Sequence, residues 1–205
     1  MAALSAFTNE IVLGAPGCPY PLAEHYLRNT AIDFCNRTKY ITEELAEITV
    51  AAGATSSTLT LSAGEEVAEV TMAYADGEPL EPVSEVQLQR DVGNWKERTG
   101  TPTHFLSSST TIRLYPTPTT DVTLVVTVAK RPTSTATTLS DVLNTEWREA
   151  MISGSLGGLL MIPKQGFTDP QMGMVQRQIY NDWIISAQAK AYKKTSYAPM
   201  RVEPV

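Results

Sequence analysis

Apolar residues recur at helical spacing near the start of the chain. Between Pro19 and Leu45 they are separated by steps of three and four, a spacing typical of an amphipathic helix. Pro19 and Pro21 suit the entry and first turn of a helix, where a missing N–H is no loss. The apolar face of this predicted helix comprises Ala23, Tyr26 or Leu27, Thr30 or Ala31, Phe34 and Thr38.

The pattern changes to short strands between Glu47 and Pro132. Runs rich in Thr, Val and Ile alternate in part with polar residues, as strands with one buried face do. Gly, Pro, Asp and Ser separate these runs, and such residues favour turns. The runs are "EITVAA", "STLTLS", "EVAEVTMAYADG", "TTIRLYPTP" and "DVTLVVTVAKRP".

Helical spacing returns after the Thr/Ser-rich stretch "RPTSTATTLS". Ser140 is a candidate N-cap for a helix that reaches about Met161. Its apolar stripe comprises Leu143, Trp147, Met151 and Ser155. Asp169 and Pro170 suit the N-cap and first position of a last helix that reaches about Lys193. One face of that helix carries Met172, Val175, Ile179 and Trp183.

These patterns predict an α+β fold. Three main helices form an antiparallel bundle, and an antiparallel β domain is inserted into it. The helical core takes residues 1–46 and 133–193, and the β domain takes residues 47–132. Residues 194–205 contain two prolines and no periodicity, which predicts an extended C-terminal tail.

Charge and composition narrow the function. The 205 residues are 42% hydrophobic and 19% charged, with a formal charge of −6, so the overall field repels nucleic acid. The densest basic cluster is only Lys190, Lys193 and Lys194. We identify no secretory signal and no apolar run long enough to span a membrane, so we expect a chain that folds in the cytosol without a membrane partner.

Neither cysteine is placed for metal or redox chemistry. If the first helix forms, Cys18 and Cys35 lie roughly 25 Å apart along its axis, whereas a disulfide needs Cα atoms within about 7 Å. No CxxC pair is present and no histidine stands at ligand spacing. We therefore predict no metal site and interpret Cys35 as a small buried apolar residue.

The sequence contains little that indicates a catalytic site. The two histidines, His25 and His104, lack a flanking nucleophile motif, and the carboxylates are scattered rather than paired. No phosphate-binding or dinucleotide motif is present, so we predict no cofactor and no catalytic residue. A small hydrolase with a dispersed triad is the alternative from the enzyme class. The favoured interpretation is a structural or interaction protein.

The segment "GSLGGLL" places three glycines inside a helical pattern. Each glycine costs about 1 kcal/mol relative to alanine there, so a packing reason is expected. Small residues allow a neighbouring backbone to approach closely. We predict that Gly154, Gly157 and Gly158, together with Trp147, form a helix-packing or subunit interface rather than a ligand site.

The segment "PGCPYPLAEHYLRNTAIDFCNRT" resembles the opening helix of tailed-bacteriophage head-to-tail connector proteins, also called adaptor or head-completion proteins. A second block, from "TIRLYPTPTTD" through "SLGGLLMIP", and the closing "DPQMGMVQRQIYNDWIISAQA" are similar to later parts of the same family. Residues 47–110 match this pattern least. The matching positions in the first segment are Leu22, Ala23, Glu24, Leu27, Arg28, Ala31, Ile32, Phe34, Cys35 and Thr38. In the second block they are Leu114, Tyr115, Pro116, Pro118, Pro132, Leu139, Trp147, Gly154, Leu159 and Leu160.

The resemblance implies a virion structural protein, not an enzyme, located in the neck between capsid and tail. Such connectors form a closed ring, usually twelve-fold, beneath the portal protein. The ring lengthens the channel through which genomic DNA passes without sequence-specific binding, and it presents a surface to the tail or to a second connector. A tail-terminator protein, or another ring of the neck or tail, is the alternative within the same class.

The resemblance also implies that the C-terminal segment docks on the portal. The residues expected to make that contact are Tyr197, Met200, Arg201 and Val202. Three of these are apolar, and the surrounding sequence has no pattern able to bury them locally.

Overall fold

The computed structural model describes residues 1–195. Within them, α1 is Ser5–Gly14, α2 Tyr20–Thr38, α3 Glu85–Asp91, α4 Asp141–Thr145, α5 Arg148–Leu159 and α6 Pro170–Thr195. The first seven strands are β1 Ala2–Ala3, β2 Thr42–Glu44, β3 Ile48–Val50, β4 Ser57–Thr58, β5 Glu65–Ala75, β6 Glu78–Pro79 and β7 Glu81–Pro82. The others are β8 Thr99–Gly100, β9 His104–Ser107, β10 Thr111–Tyr115, β11 Thr117–Pro118, β12 Val122–Pro132 and β13 Thr138–Leu139. No helix in this part of the chain is long and apolar enough to cross a membrane.

The chain divides into two compact units. A helical unit comprises Met1–Tyr40 and the described residues from Ala136 onward, and a β unit comprises Ile41–Thr135. The helical unit contains five of the six helices and the small β1–β13 pair. The β unit contains α3 and the remaining strands.

Helix α2 begins where the sequence pattern predicts, but it ends at Thr38 rather than near Leu45, and Thr42–Glu44 form β2 instead. Pro19 has an extended conformation before the first turn, and Pro21 stands within that turn. The helix ends where Lys39 adopts a left-handed conformation and its N–H bonds to the carbonyl of Cys35. The buried face comprises Ala23, Leu27, Thr30, Ala31, Phe34, Cys35 and Thr38, which confirms the predicted apolar face apart from the half-buried Tyr26.

Helices α2 and α5 form the centre of the helical unit. Helices α1 and α6 each contact both of them and make little contact with one another. They therefore lie on opposite sides of the α2–α5 pair. Asp169 caps α6 as predicted, since its Oδ1 accepts a hydrogen bond from the Met172 N–H at 3.0 Å.

The β unit is built around the long antiparallel pair of β5 and β12. Strands β2 and β3 pair with the other edge of β12, and β6 extends the sheet beyond β5. A second sheet has the order β4–β10–β9–β7, and β8 pairs with β11. The inward residues of both sheets form one apolar core in which Ile112, Leu124, Val126 and Val128 are fully buried.

A charged cluster closes one end of the main sheet. The Lys130 Nζ on β12 donates to Glu43 Oε2 at 2.7 Å and to Glu65 Oε2 at 2.8 Å. Burial lowers the pKa of Lys130, but the two carboxylates outweigh it and hold the pKa above its usual value. The ammonium group thus ties β2, β12 and β5 together.

The predicted architecture is wrong. The fold is mixed, with six helices among the described residues and several sheets, rather than a three-helix antiparallel bundle carrying one inserted antiparallel β domain. Two of the strand pairings, β7 with β9 and β8 with β11, are parallel. Single-strand periodicity carries no information on strand direction, which is set by the long-range pairing partner.

The predicted helix from Ser140 to Met161 is two helices. The backbone leaves helical geometry at Trp147, with φ −123° and ψ 21°, so that α4 ends and α5 begins there. The Trp147 indole, at this break, is buried in the core. Helix α1 was also missed, because its apolar residues are interrupted by Thr8, Asn9 and Glu10.

Candidate assembly interface

Two of the three predicted glycines lie against side chains of neighbouring helices. A Cβ added at Gly154 would lie 2.4 Å from Thr30 Cγ2 on α2 and 2.8 Å from the Tyr180 ring on α6. A Cβ at Gly158 would lie 2.6 Å from the Tyr26 ring on α2. Both neighbours would have to move, because real Cβ atoms do not approach other atoms so closely. The structure thus places these glycines at contacts inside one subunit.

Gly157 faces the backbone of α6. An added Cβ would lie 2.8 Å from Arg177 Cγ and 3.1 Å from the Arg177 backbone nitrogen. The Gly157 carbonyl also accepts a hydrogen bond from Arg177 Nε at 3.0 Å. This contact fixes the closest approach of α5 and α6, since a backbone atom cannot rotate away as a side chain can.

Trp147 lies at the centre of an aromatic cluster. It is 1% exposed, and its ring centroid lies 5.4 Å from that of Phe34, 5.1 Å from Tyr40 and 6.3 Å from Trp183. The Lys190 ammonium lies 4.7 Å from the ring centroid, within cation–π distance. No acceptor in residues 1–195 bonds to the indole Nε1–H. The structure therefore places Trp147 in the core of the helical unit.

The groove above the glycines is polar, and its groups bond to each other. The Tyr180 hydroxyl donates to Asp33 Oδ2 at 2.9 Å, and the Arg37 guanidinium lies 3.5 Å from the same carboxylate. Burial, together with the Asp33 charge, raises the pKa of Tyr180 well above its usual range. The phenol stays protonated and serves as a fixed donor between α6 and α2, which is a structural role.

The apolar stripe predicted on α6 is exposed. Met172, Val175 and Ile179 are between 39% and 52% exposed, and only Trp183 is half-buried. The face of α6 that packs against α2 and α5 is a different one, formed by Tyr180, Ile184 and Ala187. The sequence pattern thus identified an apolar face that a single subunit does not cover.

Sequence reasoning missed a second exposed stripe on the other flank of α6. It consists of Met174, Ile185 and Tyr192, which are between 58% and 74% exposed. If a fully exposed large side chain presents roughly 150–200 Å², each stripe exposes on the order of 250–350 Å², which is comparable to the largest apolar patch of a typical monomer, and such patches are often functional. Polar residues, Gln178 and Asp182 among them, lie between the two stripes, which are therefore separate surfaces of the helix.

The model of the SU10 adaptor protein family matches residues 6–201. The chain belongs to this family. No curated protein matches the chain.

Family membership confirms the predicted resemblance to phage head-to-tail adaptors. The protein is a phage structural adaptor and a component of the virion, where it interacts with other virion proteins. An adaptor of this kind acts through the surfaces that contact other proteins. The exposed apolar stripes of α6 are candidates for such surfaces.

The residues predicted to dock on the portal lie outside the described part of the adaptor. Tyr197, Met200, Arg201 and Val202 follow the last described residue, Thr195 of α6.

The histidines and cysteines of the adaptor form no metal site among the described residues. His25 forms a hydrogen bond with Asn29 Nδ2 at 3.0 Å, and His104 forms one with Thr103 Oγ1 at 2.8 Å. Cys18 and Cys35 are both buried, and burial raises the pKa of the Cys18 thiol. Within residues 1–195, no group of three His, Cys, Asp or Glu side chains is arranged to hold a metal ion.

Charge is divided unequally between the two units of the adaptor. The β unit carries thirteen acidic and six basic side chains, a formal charge of −7, whereas the rest of the chain carries nine acidic and ten basic side chains, a formal charge of +1. The negative field of the protein therefore originates in the β unit.

Proposed function

We propose that the adaptor assembles into a closed ring in the phage neck, where it binds the portal protein on one side and a tail or second connector protein on the other. The observation that carries this proposal is α6, a 26-residue helix with exposed apolar stripes on two flanks in a protein of the adaptor family. Exposed apolar stripes of this kind are suited to contacts with neighbouring subunits of a virion.

The distribution of charge supports a second part of the proposal, that DNA passes through the ring without being held. Phosphate groups bind tightly where lysine and arginine release counterions. The β unit has about twice as many acidic as basic side chains. If this unit lines the channel, its field repels the phosphate backbone, so the duplex slides instead of sticking.

The third part of the proposal assigns portal binding to residues 196–205. This segment carries Tyr197, Met200 and Val202 among few charged residues, and it follows the end of α6 directly. Fully extended, ten residues reach up to about 35 Å. That length is enough for the segment to dock on a neighbouring protein while the rest of the adaptor keeps its own fold.

Assembly is tested by mass photometry and negative-stain microscopy of the full chain, alone and with the portal protein of the same phage. We expect rings when the portal is present. A protein that remains monomeric at micromolar concentration with the portal supplied would contradict the proposal. Pull-downs against portal and tail-tube proteins distinguish a connector from a tail-terminator, since only the connector binds the portal.

The contribution of the terminal segment is tested by replacing three apolar residues with serine, Tyr197→Ser, Met200→Ser and Val202→Ser. We expect at least a tenfold loss of portal affinity with unchanged circular dichroism. The matched control is Glu203→Gln, which alters a charge in the same segment and leaves its apolar residues in place. Equal portal binding by the triple variant and the wild type would reject this segment as the docking element.

A further inference from the structure

A second exposed apolar surface lies where α1 meets α2. We call residues Val12–Leu22 the α1–α2 corner. Thirteen consecutive residues, from Ile11 to Ala23, include no charged side chain. Within the corner Leu13 is 78% exposed and Tyr20 is 54% exposed, and Pro16, Pro19 and Pro21 are also exposed. Depletion of charge together with exposed aromatic and aliphatic groups is the composition of a protein interface core.

The first three turns of α6 are also poor in charge and expose apolar side chains. Between Pro170 and Tyr180 the only charged side chain is Arg177, and its Nε already donates to the Gly157 carbonyl. The first stripe of α6, Met172, Val175 and Ile179, lies in this segment. Burying either surface against the other would therefore remove no unpaired charge from water, so the desolvation cost is low.

The α1–α2 corner and the first stripe lie on opposite sides of the helical unit but at the same end. They are on opposite sides because α1 and α6 flank the α2–α5 pair. They are at the same end because Gly14 lies against Leu156, and Gly173 lies against Leu160 and Met161, all at the C-terminal end of α5. Copies joined through these surfaces lie side by side with little rise along the helices, which a closed ring requires.

We propose that the α1–α2 corner of one subunit packs against the Met172–Val175–Ile179 stripe of the next, so that the occupant of each surface is a second copy of this chain. This inference rests on the proposed ring. The contact is heterologous, because two unlike surfaces meet. Two unlike, charge-poor surfaces on opposite sides of one unit fit a head-to-tail neighbour better than an isologous dimer, in which one surface meets itself.

Site-directed cross-linking tests the pairing. Leu13→Cys and Val175→Cys are introduced singly and together into the full chain, and rings formed with portal are treated with a short bismaleimide. A second pair, Tyr20→Cys with Ile179→Cys, covers the same contact at different positions. All four positions are at least 39% exposed, whereas the native Cys18 and Cys35 are at most 5% exposed, so the wild type reports the background.

We expect each double variant to give a ladder of cross-linked oligomers on a denaturing gel. A mixture of the two single variants should stop at dimers, because each subunit then carries only one of the two groups. Dimers formed by Val175→Cys alone would show an isologous contact and overturn the inference. Rings that form normally but yield no ladder with either pair would overturn the inference and leave the ring itself intact.

A charge substitution provides an independent readout. Val175→Glu places a carboxylate at the centre of the proposed contact, and we expect at least a tenfold rise in the concentration needed for ring formation. Ala189→Glu, at an exposed position about four turns further along the same helix, is the matched control and should assemble like the wild type. Unimpaired assembly of Val175→Glu would overturn the inference, whereas failure of the wild type to form rings would instead reject the proposed function.

Discussion

Replacement of Gly154 by alanine tests the packing of the helical unit. The added methyl group would meet Thr30 Cγ2 at 2.4 Å and the Tyr180 ring at 2.8 Å and 2.9 Å. Neither neighbour can move easily. Thr30 is 7% exposed and branched at Cβ, and Tyr180 is held by the hydrogen bond from its hydroxyl to Asp33.

Two opposing effects set the size of the change. An alanine in the middle of a helix is more favourable than glycine by about 1 kcal/mol. Forcing an extra methyl group into a close-packed core costs about 1–3 kcal/mol, and the upper part of that range applies because the two contacts lie well below van der Waals distance. We therefore expect Gly154→Ala to lower the free energy of unfolding by about 1–2 kcal/mol.

Urea denaturation followed by circular dichroism at 222 nm measures this change, because most helices belong to the unit that contains Gly154. The control is Gly166→Ala, at a loop position where an added Cβ meets nothing within 4 Å, and it should alter stability by less than about 0.5 kcal/mol. Thr30→Ser removes only the methyl group that clashes, so combining it with Gly154→Ala should restore part of the lost stability. If Gly154→Ala stabilises the protein, the helix-propensity effect dominates and the packing argument is wrong.

Three further predictions concern other parts of the two units. Trp147→Ala should lower the free energy of unfolding by about 3–5 kcal/mol, measured by urea denaturation, because it removes the centre of the aromatic cluster. Lys130→Met should destabilise the β unit by about 2 kcal/mol in a thermal melt at pH 7, because Glu65 would remain nearly buried and unpaired. The hydrogen bond to Glu146 raises the pKa of Tyr40 to about 12. The ordinary pKa of tyrosine is about 10. The stabilisation that the hydrogen bond gives to the folded protein is therefore complete below pH 10 and is lost as the pH rises towards 12. Tyr40→Phe should therefore show a smaller loss of stability over that interval, and an identical pH profile for variant and wild type would contradict the assignment.

The helix caps and apolar spacings of the helical unit could be predicted from local sequence. Pro19 and Pro21 mark the start of α2, and Asp169 and Pro170 mark the start of α6, because capping depends on groups within a few residues of each other. The break at Trp147 could not be predicted in this way. It depends on the position of Phe34 and Tyr40, which are more than a hundred residues away in the chain.

The same distinction applies to the candidate interface. The spacing of Met172, Val175 and Ile179 predicts an apolar face of a helix but does not say what covers it. Helix α6 has three apolar faces, and periodicity alone cannot choose among them. The glycines of α5 decide which face of α6 is buried. They allow Arg177 and Tyr180 to pack closely against α5, so the first stripe faces away from the core.

The sequence by itself determined the family, the starts of α2 and α6 and the presence of an apolar stripe on α6. Each of these depends on residue type and local spacing. Only the tertiary structure decided strand direction, the division of the helix after Ser140 and which apolar faces remain exposed on a single subunit. These features depend on contacts between residues far apart in the chain, where packing and excluded volume outweigh local preference.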